Sequence, residues 1–278
     1  MGVKYYIWAS DPHGTGQPWI NLVKQAQEKY PDSETIFGGD YIDGNKFSLE
    51  TVKFVYNQVK FHQASALAGN HEQLMYEFIE HNNNLWYVNG AKTTVKSFLG
   101  RGYSKKVAQE KLRNNPYYIF LINLPIVIET PKFVFVHAGI TPETNTNHQR
   151  RLNDKTYATY FNLWARDEYF YNDIENKIFA HNLTGKTIVS GHTPTGLISG
   201  KYDNNQVGFK TTYTGEQNEF TCPVRKIQYP NEPARYLTDD GCHGILHHYG
   251  NICVFDSKTG SLVEVFNDDK IMSTMTTD

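Results

Sequence analysis

Asp40 and Asp43 lie three positions apart in the turn Phe37-Gly38-Gly39-Asp40-Tyr41-Ile42-Asp43-Gly44, directly after the apolar run Thr35, Ile36 and Phe37. A carboxylate delivered to the end of a buried strand is costly unless it is paired or bound to a cation. Asp-x-x-Asp in a turn means little alone, because turns favour Asp and Gly for conformational reasons. Its company changes that. Asp11-Pro12-His13 follows one apolar run, Asn70-His71-Glu72 another, and His137 and His192 close two more.

Asp11, His13, Asp40, Asn70, His137 and His192 together offer carboxylate, amide and imidazole donors. That O/N set suits two divalent transition-metal ions, Mn²⁺ first, with Fe, Zn²⁺ or Ni²⁺ as other candidates. Six such side chains are too many for one catalytic ion that must keep a position open. Two ions about 3.5–4 Å apart, sharing one carboxylate, use them naturally. Asp40 is central in the order and is the expected bridge. Two cations there would acidify a bridging water and clamp a phosphoryl group during in-line attack. His71, adjacent to Asn70, is expected to protonate the leaving oxygen as general acid, with Asp43 holding its imidazole. Arg166 is the expected grip on the outer phosphate oxygens, since a guanidinium meets them two at a time.

The elements that must position these groups are legible in outline. Lys4–Ala9, Thr35–Phe37 and Ala64–Ala68 read as strands, and Pro18–Tyr30 and Leu49–His62, with Ser48 as N-cap, read as helices. Strand–helix alternation predicts an α/β fold on a parallel sheet, with a site beyond the carboxyl ends of the strands. The intervals from His13 to Asp40 and from Asp43 to Asn70 are equal, each room for one helix and one strand. Further along, Gln73–His81, Thr93–Leu99 and Lys105–Asn114 read as helical. Ile119–Ile128, Phe133–Val136 and Thr187–Val189 read as strands, and Thr141 to about Tyr160 as surface loop. Lys201–Asp240 reads as hairpins and covering loops or a small lid, Ile252–Phe255 with Leu262–Phe266 as a closing hairpin, and Ile271–Asp278 as a flexible tail. One domain over residues 1–278 is expected.

Composition narrows the partners. Apolar residues make up 39% and aromatics 14%, which excludes a disordered chain. A formal charge of −2 argues against nucleic acid as partner. No apolar run approaches a membrane span, and no leader segment is evident. Three cysteines, none in a Cys-x-x-Cys pair, argue against a disulfide framework and for a cytoplasmic setting. The cluster Cys242-His243-Gly244-Ile245-Leu246-His247-His248 holds zinc-type donors, but its spacing matches no standard site and reads as rim of the active site.

In order, the chain carries Asp11-Pro12-His13, Gly39-Asp40-Tyr41-Ile42-Asp43-Gly44, Gly69-Asn70-His71-Glu72, His137-Ala138-Gly139 and Gly191-His192-Thr193. This ordered set resembles the calcineurin-like metallophosphoesterases, in particular the phosphoprotein phosphatase branch that also includes bacterial diadenosine tetraphosphatases. The segments Trp86 through Thr94 and Trp164-Ala165-Arg166-Asp167-Glu168 are similar to bacterial members. The resemblance implies a β-sandwich of two mixed sheets flanked by helices. It implies a first ion on Asp11, His13 and Asp40 and a second on Asp40, Asn70, His137 and His192. It also makes His71 with Asp43 the acid pair, and Arg166 a phosphate ligand. Gly44 departs from the pattern, standing where the family has an Arg that contacts substrate phosphate; Lys46 is nearby but is a point charge.

The leading expectation is a phosphomonoesterase acting on phosphoserine or phosphothreonine in proteins, or on small phosphate esters. The alternative is a hydrolase of dinucleoside polyphosphates or other nucleotides on the same centre. A third reading is a phosphate-binding protein without turnover, supported only by the absent Arg.

Overall fold

The computed structural model describes residues 2–140, 151–166, 182–198, 222–228, 231–243 and 248–268. Strand β1 (Tyr5–Ala9) leads through α1 (Gln17–Lys29) to β2 (Ser33–Phe37), then through α2 (Ser48–Phe61) to β3 (Ala64–Ala66). Helices α3 (Asn70–His81), α4 (Leu85–Val88), α5 (Ala91–Leu99), α6 (Lys105–Arg113) and α7 (Pro116–Ile122) follow. Then come β4 (Val127–Glu129), β5 (Phe133–Val136), α8 (Tyr157–Trp164), β6 (Thr187–Ser190), β7 (Arg225–Ile227), β8 (Arg235–Leu237), β9 (Ile252–Asp256) and β10 (Leu262–Phe266).

The strands form two mixed sheets, ordered β10-β9-β1-β2-β3 and β4-β5-β6-β8-β7. β1, β2 and β3 run parallel, as the alternation predicts, and β9 closes antiparallel on β1. The sheets face each other across a core that residue alternation builds. Tyr6 and Trp8 of β1 meet Phe133 and Phe135 of β5, with ring centroids 5.3 Å apart for Tyr6–Phe133 and 5.6 Å for Trp8–Phe135. Ile7 and Ala9 point the other way, into a second core with Trp19, Val23 and Val52 from α1 and α2. Strands apolar on both faces are what a sheet covered on both sides requires.

Several elements differ from the sequence expectation. Residues Ile119 to Ile122 are not strand but the end of α7, and the strand begins only at Val127. Asn115 caps that helix by accepting the Tyr117 N–H at 2.9 Å, and Pro116 occupies its first turn; this start signal outranks the apolar run. Ser48 is not the N-cap of α2 but its first residue, with Phe47 at the cap. The region read as loop up to Tyr160 already holds the start of α8, where Thr156 Oγ1 accepts the Thr159 N–H at 3.2 Å. Within the stretch read as covering loops, β7 and β8 form an antiparallel pair on the second sheet. Residues 201–221, 244–247 and 269–278, which include part of that stretch, His247 and the expected tail, lie outside the described residues. Among the described residues no helix is long and apolar enough to cross a membrane.

Candidate metal centre

Both sheets finish at one rim. Asp11 follows β1, Asp40 and Asp43 follow β2, Asn70 and His71 open α3 after β3, His137 follows β5, and His192 follows β6. All seven are buried. The backbone is bent sharply to bring them there. Asp11, His13, Asp40, Asp43 and His192 take positive φ of 53°, 42°, 56°, 69° and 70°. Non-glycine residues seldom occupy this region, and each such residue costs about 1–3 kcal/mol. Close approach adds to the constraint: a Cβ on Gly191 would collide with Asp11 Oδ2, and one on Gly69 with Asp40 Oδ1. These glycines leave the carboxylates room to sit against neighbouring backbone.

Asp40 Oδ2 stands 3.5 Å from His13 Nε2 and 3.4 Å from His137 Nε2, so one carboxylate oxygen faces both imidazoles. Its other oxygen accepts the His71 N–H at 2.9 Å. His137 Nδ1 is 2.9 Å from the Gly38 carbonyl and its Nε2 is 2.9 Å from Asn70 Oδ1. His13 Nδ1 lies 3.2 Å from the Ile42 carbonyl. The backbone thus fixes each ring and leaves Nε2 directed inward. Ligand-type atoms of Asp11, His13 and Asp40 fall within 4.8 Å of one another, as do those of Asp40, His137 and His192.

Three atoms of this set have no hydrogen-bond partner among the described residues: Asp11 Oδ2 and both ring nitrogens of His192. Buried orphans of this kind are costly and rare. A divalent cation would satisfy the Asp11 oxygen and one of the two His192 nitrogens, and oxygen with imidazole nitrogen is the donor chemistry such cations take. Electrostatics agrees. Burial pushes the Asp11 carboxyl upward and holds the His13 and His192 imidazoles neutral. Burial also opposes ionisation at Asp40, but the facing histidines outweigh it and hold that carboxyl well below its usual range. A neutral imidazole is the form that ligates.

His71 Nδ1 is 2.7 Å from Asp43 Oδ2. Asp43 is fully buried and held three more ways. Trp86 Nε1–H donates to Oδ2 at 2.8 Å, Thr94 Oγ1–H donates to Oδ1 at 2.6 Å, and Thr94 Oγ1 accepts the Asp43 N–H at 2.9 Å. Burial alone would lower the His71 pKa, but the Asp40 charge and the Asp43 hydrogen bond raise it to about 9. Arg166 Nη1 donates to the His192 carbonyl at 3.3 Å and to Thr193 Oγ1 at 3.1 Å, which places the guanidinium beside the centre.

Sequence reading missed how the turn is secured. Glu72 Oε2 accepts the N–H groups of Gly69 and Asp40 at 2.8 Å each, and its Oε1 accepts that of Tyr41 at 2.9 Å. The Glu72–Gly69 contact is half of a capping box, three residues into α3, and that spacing was available as a signal. The two further donors come from a distant turn and carry none. Glu72→Gln is expected to lose about 2 kcal/mol of stability, because an amide NH₂ then meets an N–H donor; the urea midpoint checks this.

His243, read from the sequence as part of the active-site rim, stands against the centre itself. Its ring lies 4.6 Å from that of His13 and 5.2 Å from that of His71 by centroid. His248 instead turns to Asp240, with Nδ1 3.2 Å from Oδ1. His243 and His248 therefore serve different neighbours. The backbone itself accounts for the glycine at position 44, with His13 and His243 close around it. Gly44 has φ +69°, and a Cβ there would sit 3.2 Å from His13 Cβ and 3.3 Å from His243 Cδ2. Gly44→Arg is thus expected to cost about 1–2 kcal/mol of stability and to leave phosphate ester turnover no faster, as thermal unfolding and initial rates would report.

The two-sheet sandwich with flanking helices and a rim of His and Asp donors defines a metallophosphoesterase. The chain belongs to the calcineurin-like phosphoesterase family, whose model matches residues 6–231, and this family uses divalent metals. It is 27% identical over 168 residues to the asymmetrical bis(5'-nucleosyl)-tetraphosphatase PrpE of Oceanobacillus iheyensis, covering 58% of this chain and 62% of that protein. A PrpE of the same description from a Geobacillus strain is 23% identical over 192 residues, covering 66% of this chain and 76% of that one. The chain therefore spans about three fifths of the length of the Oceanobacillus relative and about three quarters of the Geobacillus one. Among solved structures, a Saccharomyces cerevisiae protein serine/threonine phosphatase superposes with TM-score 0.53 at 12% identity, over 96% of this chain and 80% of that one. A crystal structure assigned as a diadenosine tetraphosphatase gives TM-score 0.52 at 17% identity, over 95% and 94%. At these identities the structural likeness speaks for the fold alone.

Proposed function

We propose that this protein hydrolyses phosphate esters or anhydrides at a two-metal centre, with a dinucleoside polyphosphate as substrate. The observation that carries the reading is Asp40 Oδ2, one buried carboxylate oxygen facing two imidazoles from opposite sheets. Asp11, His13 and Asp40 would hold one ion, and Asp40, Asn70, His137 and His192 the other, Mn²⁺ being the ion we favour. Bound there, the ions would neutralise phosphoryl oxygens and acidify water.

The protein's own groups divide the remaining work. His71, held by Asp43 and positively charged at neutral pH, gives its Nε2 proton to the departing oxygen. Trp86 and Thr94 keep Asp43 from turning away, so the imidazole stays aimed. Arg166, anchored on the His192 carbonyl, offers its remaining N–H groups to the outer phosphate oxygens. The rigid, positive-φ turns hold these groups in place before substrate arrives.

The sequence expectation put phosphoprotein first. The names of the two relatives favour the nucleotide alternative, whereas the ordered motifs and the fold are common to both readings. Initial rates on diadenosine tetraphosphate and on a phosphoserine peptide, with Mn²⁺ supplied, separate them. We expect the dinucleotide to be cleaved with the higher kcat/KM; the reverse order contradicts the substrate assignment. Metal-stimulated turnover of either would exclude a binding protein without catalysis.

A further inference from the structure

Helix α8 ends beside the metal centre and carries two aromatic rings on one face. Tyr160 and Trp164 are four positions apart, with ring centroids 6.4 Å apart and planes only 12° from parallel. The Trp164 ring stands 6.3 Å from that of His192, nearly perpendicular to it. Trp164 is also pinned, because its indole N–H donates to Gln73 Oε1 at 2.5 Å. Tyr160 is 55% exposed. Single exposed aromatics are ordinary. This pair differs in three respects: the rings are nearly parallel, the inner one is fixed by a hydrogen bond, and the row leads straight to a side chain of the centre. Arg166 lies two residues past Trp164 and donates to Thr193 Oγ1 and to the His192 carbonyl, so the same segment brings a guanidinium to the centre.

We propose that Tyr160 and Trp164 form a stacking platform for the nucleobase of a nucleoside polyphosphate whose phosphate chain reaches the Asp40 centre. The proposal rests on the phosphoesterase reading above and extends it to how the substrate's base is held. Flat, parallel rings suit an aromatic base, because stacking needs only a π-face. Arg166, hydrogen-bonded to the His192 carbonyl at the centre, suits the phosphate that joins base to reacting group. A base stacked here is tied to its phosphate, so the platform would select the nucleotide over phosphate esters that lack a ring.

The test compares diadenosine tetraphosphate with tripolyphosphate, which has a phosphate chain and no base, in the wild type, Tyr160→Ala and Tyr160→Phe. Removing one stacked aromatic weakens base binding by about tenfold. The ratio of kcat/KM for the dinucleotide to that for tripolyphosphate should fall by that factor in Tyr160→Ala and recover in Tyr160→Phe. An unchanged ratio overturns the platform. So does a loss confined to a phosphoserine peptide, which would give the rings to a peptide side chain. If the metal-loaded wild type cleaves none of these, the phosphoesterase reading fails, and fluorescence then decides the platform separately. Trp8 and Trp19 are fully buried and Trp86, also buried, lies against Asp43, so ribose 5-phosphate serves to separate quenching of Trp86 by a phosphate at the centre from base stacking on Trp164. Quenching by AMP, absent with ribose 5-phosphate and weakened about tenfold in Tyr160→Ala, supports the platform; no quenching by AMP contradicts it.

Discussion

Asp40→Asn is expected to abolish turnover, lowering kcat/KM by about a thousandfold or more on any phosphate substrate. Among the described residues this carboxylate is the group placed to serve both halves of the centre, with one oxygen 3.5 Å from His13 Nε2 and 3.4 Å from His137 Nε2. An amide keeps the shape and one acceptor oxygen but removes the charge that draws both cations. Losing about 4 kcal/mol of transition-state charge stabilisation corresponds to roughly a thousandfold in rate. The fold should survive, since the amide oxygen can still accept the His71 N–H and the backbone N–H of residue 40 still reaches Glu72. Elemental analysis should find the variant depleted of both ions. Near-normal turnover, or loss of one ion only, would overturn the bridging role.

His71→Asn tests the other half of the mechanism. The imidazole is held 2.7 Å from Asp43 and is raised to about 9, so it is protonated at neutral pH. Removing a general acid costs about 10²–10⁴ in rate. That loss should fall on substrates with poor leaving groups and nearly vanish for an aryl phosphate with a good one. Metal content should be unchanged, because no ion is assigned to His71. The pH profile follows with its sign. An acid must carry its proton, so kcat in the wild type should fall as pH rises toward about 9. Bound cations disfavour the imidazolium and move that falling limb to lower pH. In His71→Asn the limb should disappear. A variant stripped of metal, or a limb that persists without His71, would remove the imidazole from this role.

Legibility in the sequence followed the range of the interactions concerned. The strand-end clusters were readable because a parallel α/β chain presents its functional groups at one kind of position, the residues just past each strand. The sandwich was not readable from strand–helix alternation. It depends on Tyr6 and Trp8 meeting Phe133 and Phe135 across more than a hundred residues, and it entered only through the ordered motifs. The segment Ile119–Ile122 was misjudged because apolar runs are ambiguous between strand and buried helix, and the deciding Asn115-Pro116 cap sits outside the run. At the candidate centre, the Asp and His side chains that the fold brings together were named in the sequence by type. What secures them was not. Positive φ at Asp11, His13, Asp40, Asp43 and His192 has only a weak residue signature, because Asp and His are enriched there yet far more often take other conformations. Trp86 and Thr94 reach Asp43 from α4 and α5, and His243 meets His13 from far along the chain, all by packing that no local pattern encodes.

The bridging role proposed for Asp40 has a direct spectroscopic consequence. Metal-free protein titrated with Mn²⁺ and followed by electron paramagnetic resonance should bind about two equivalents, and the fully loaded sample should show a spin-coupled spectrum from two ions held close together. Saturation at a single equivalent, or only the six-line signal of isolated Mn²⁺ at every loading, would contradict a dinuclear centre built on Asp40.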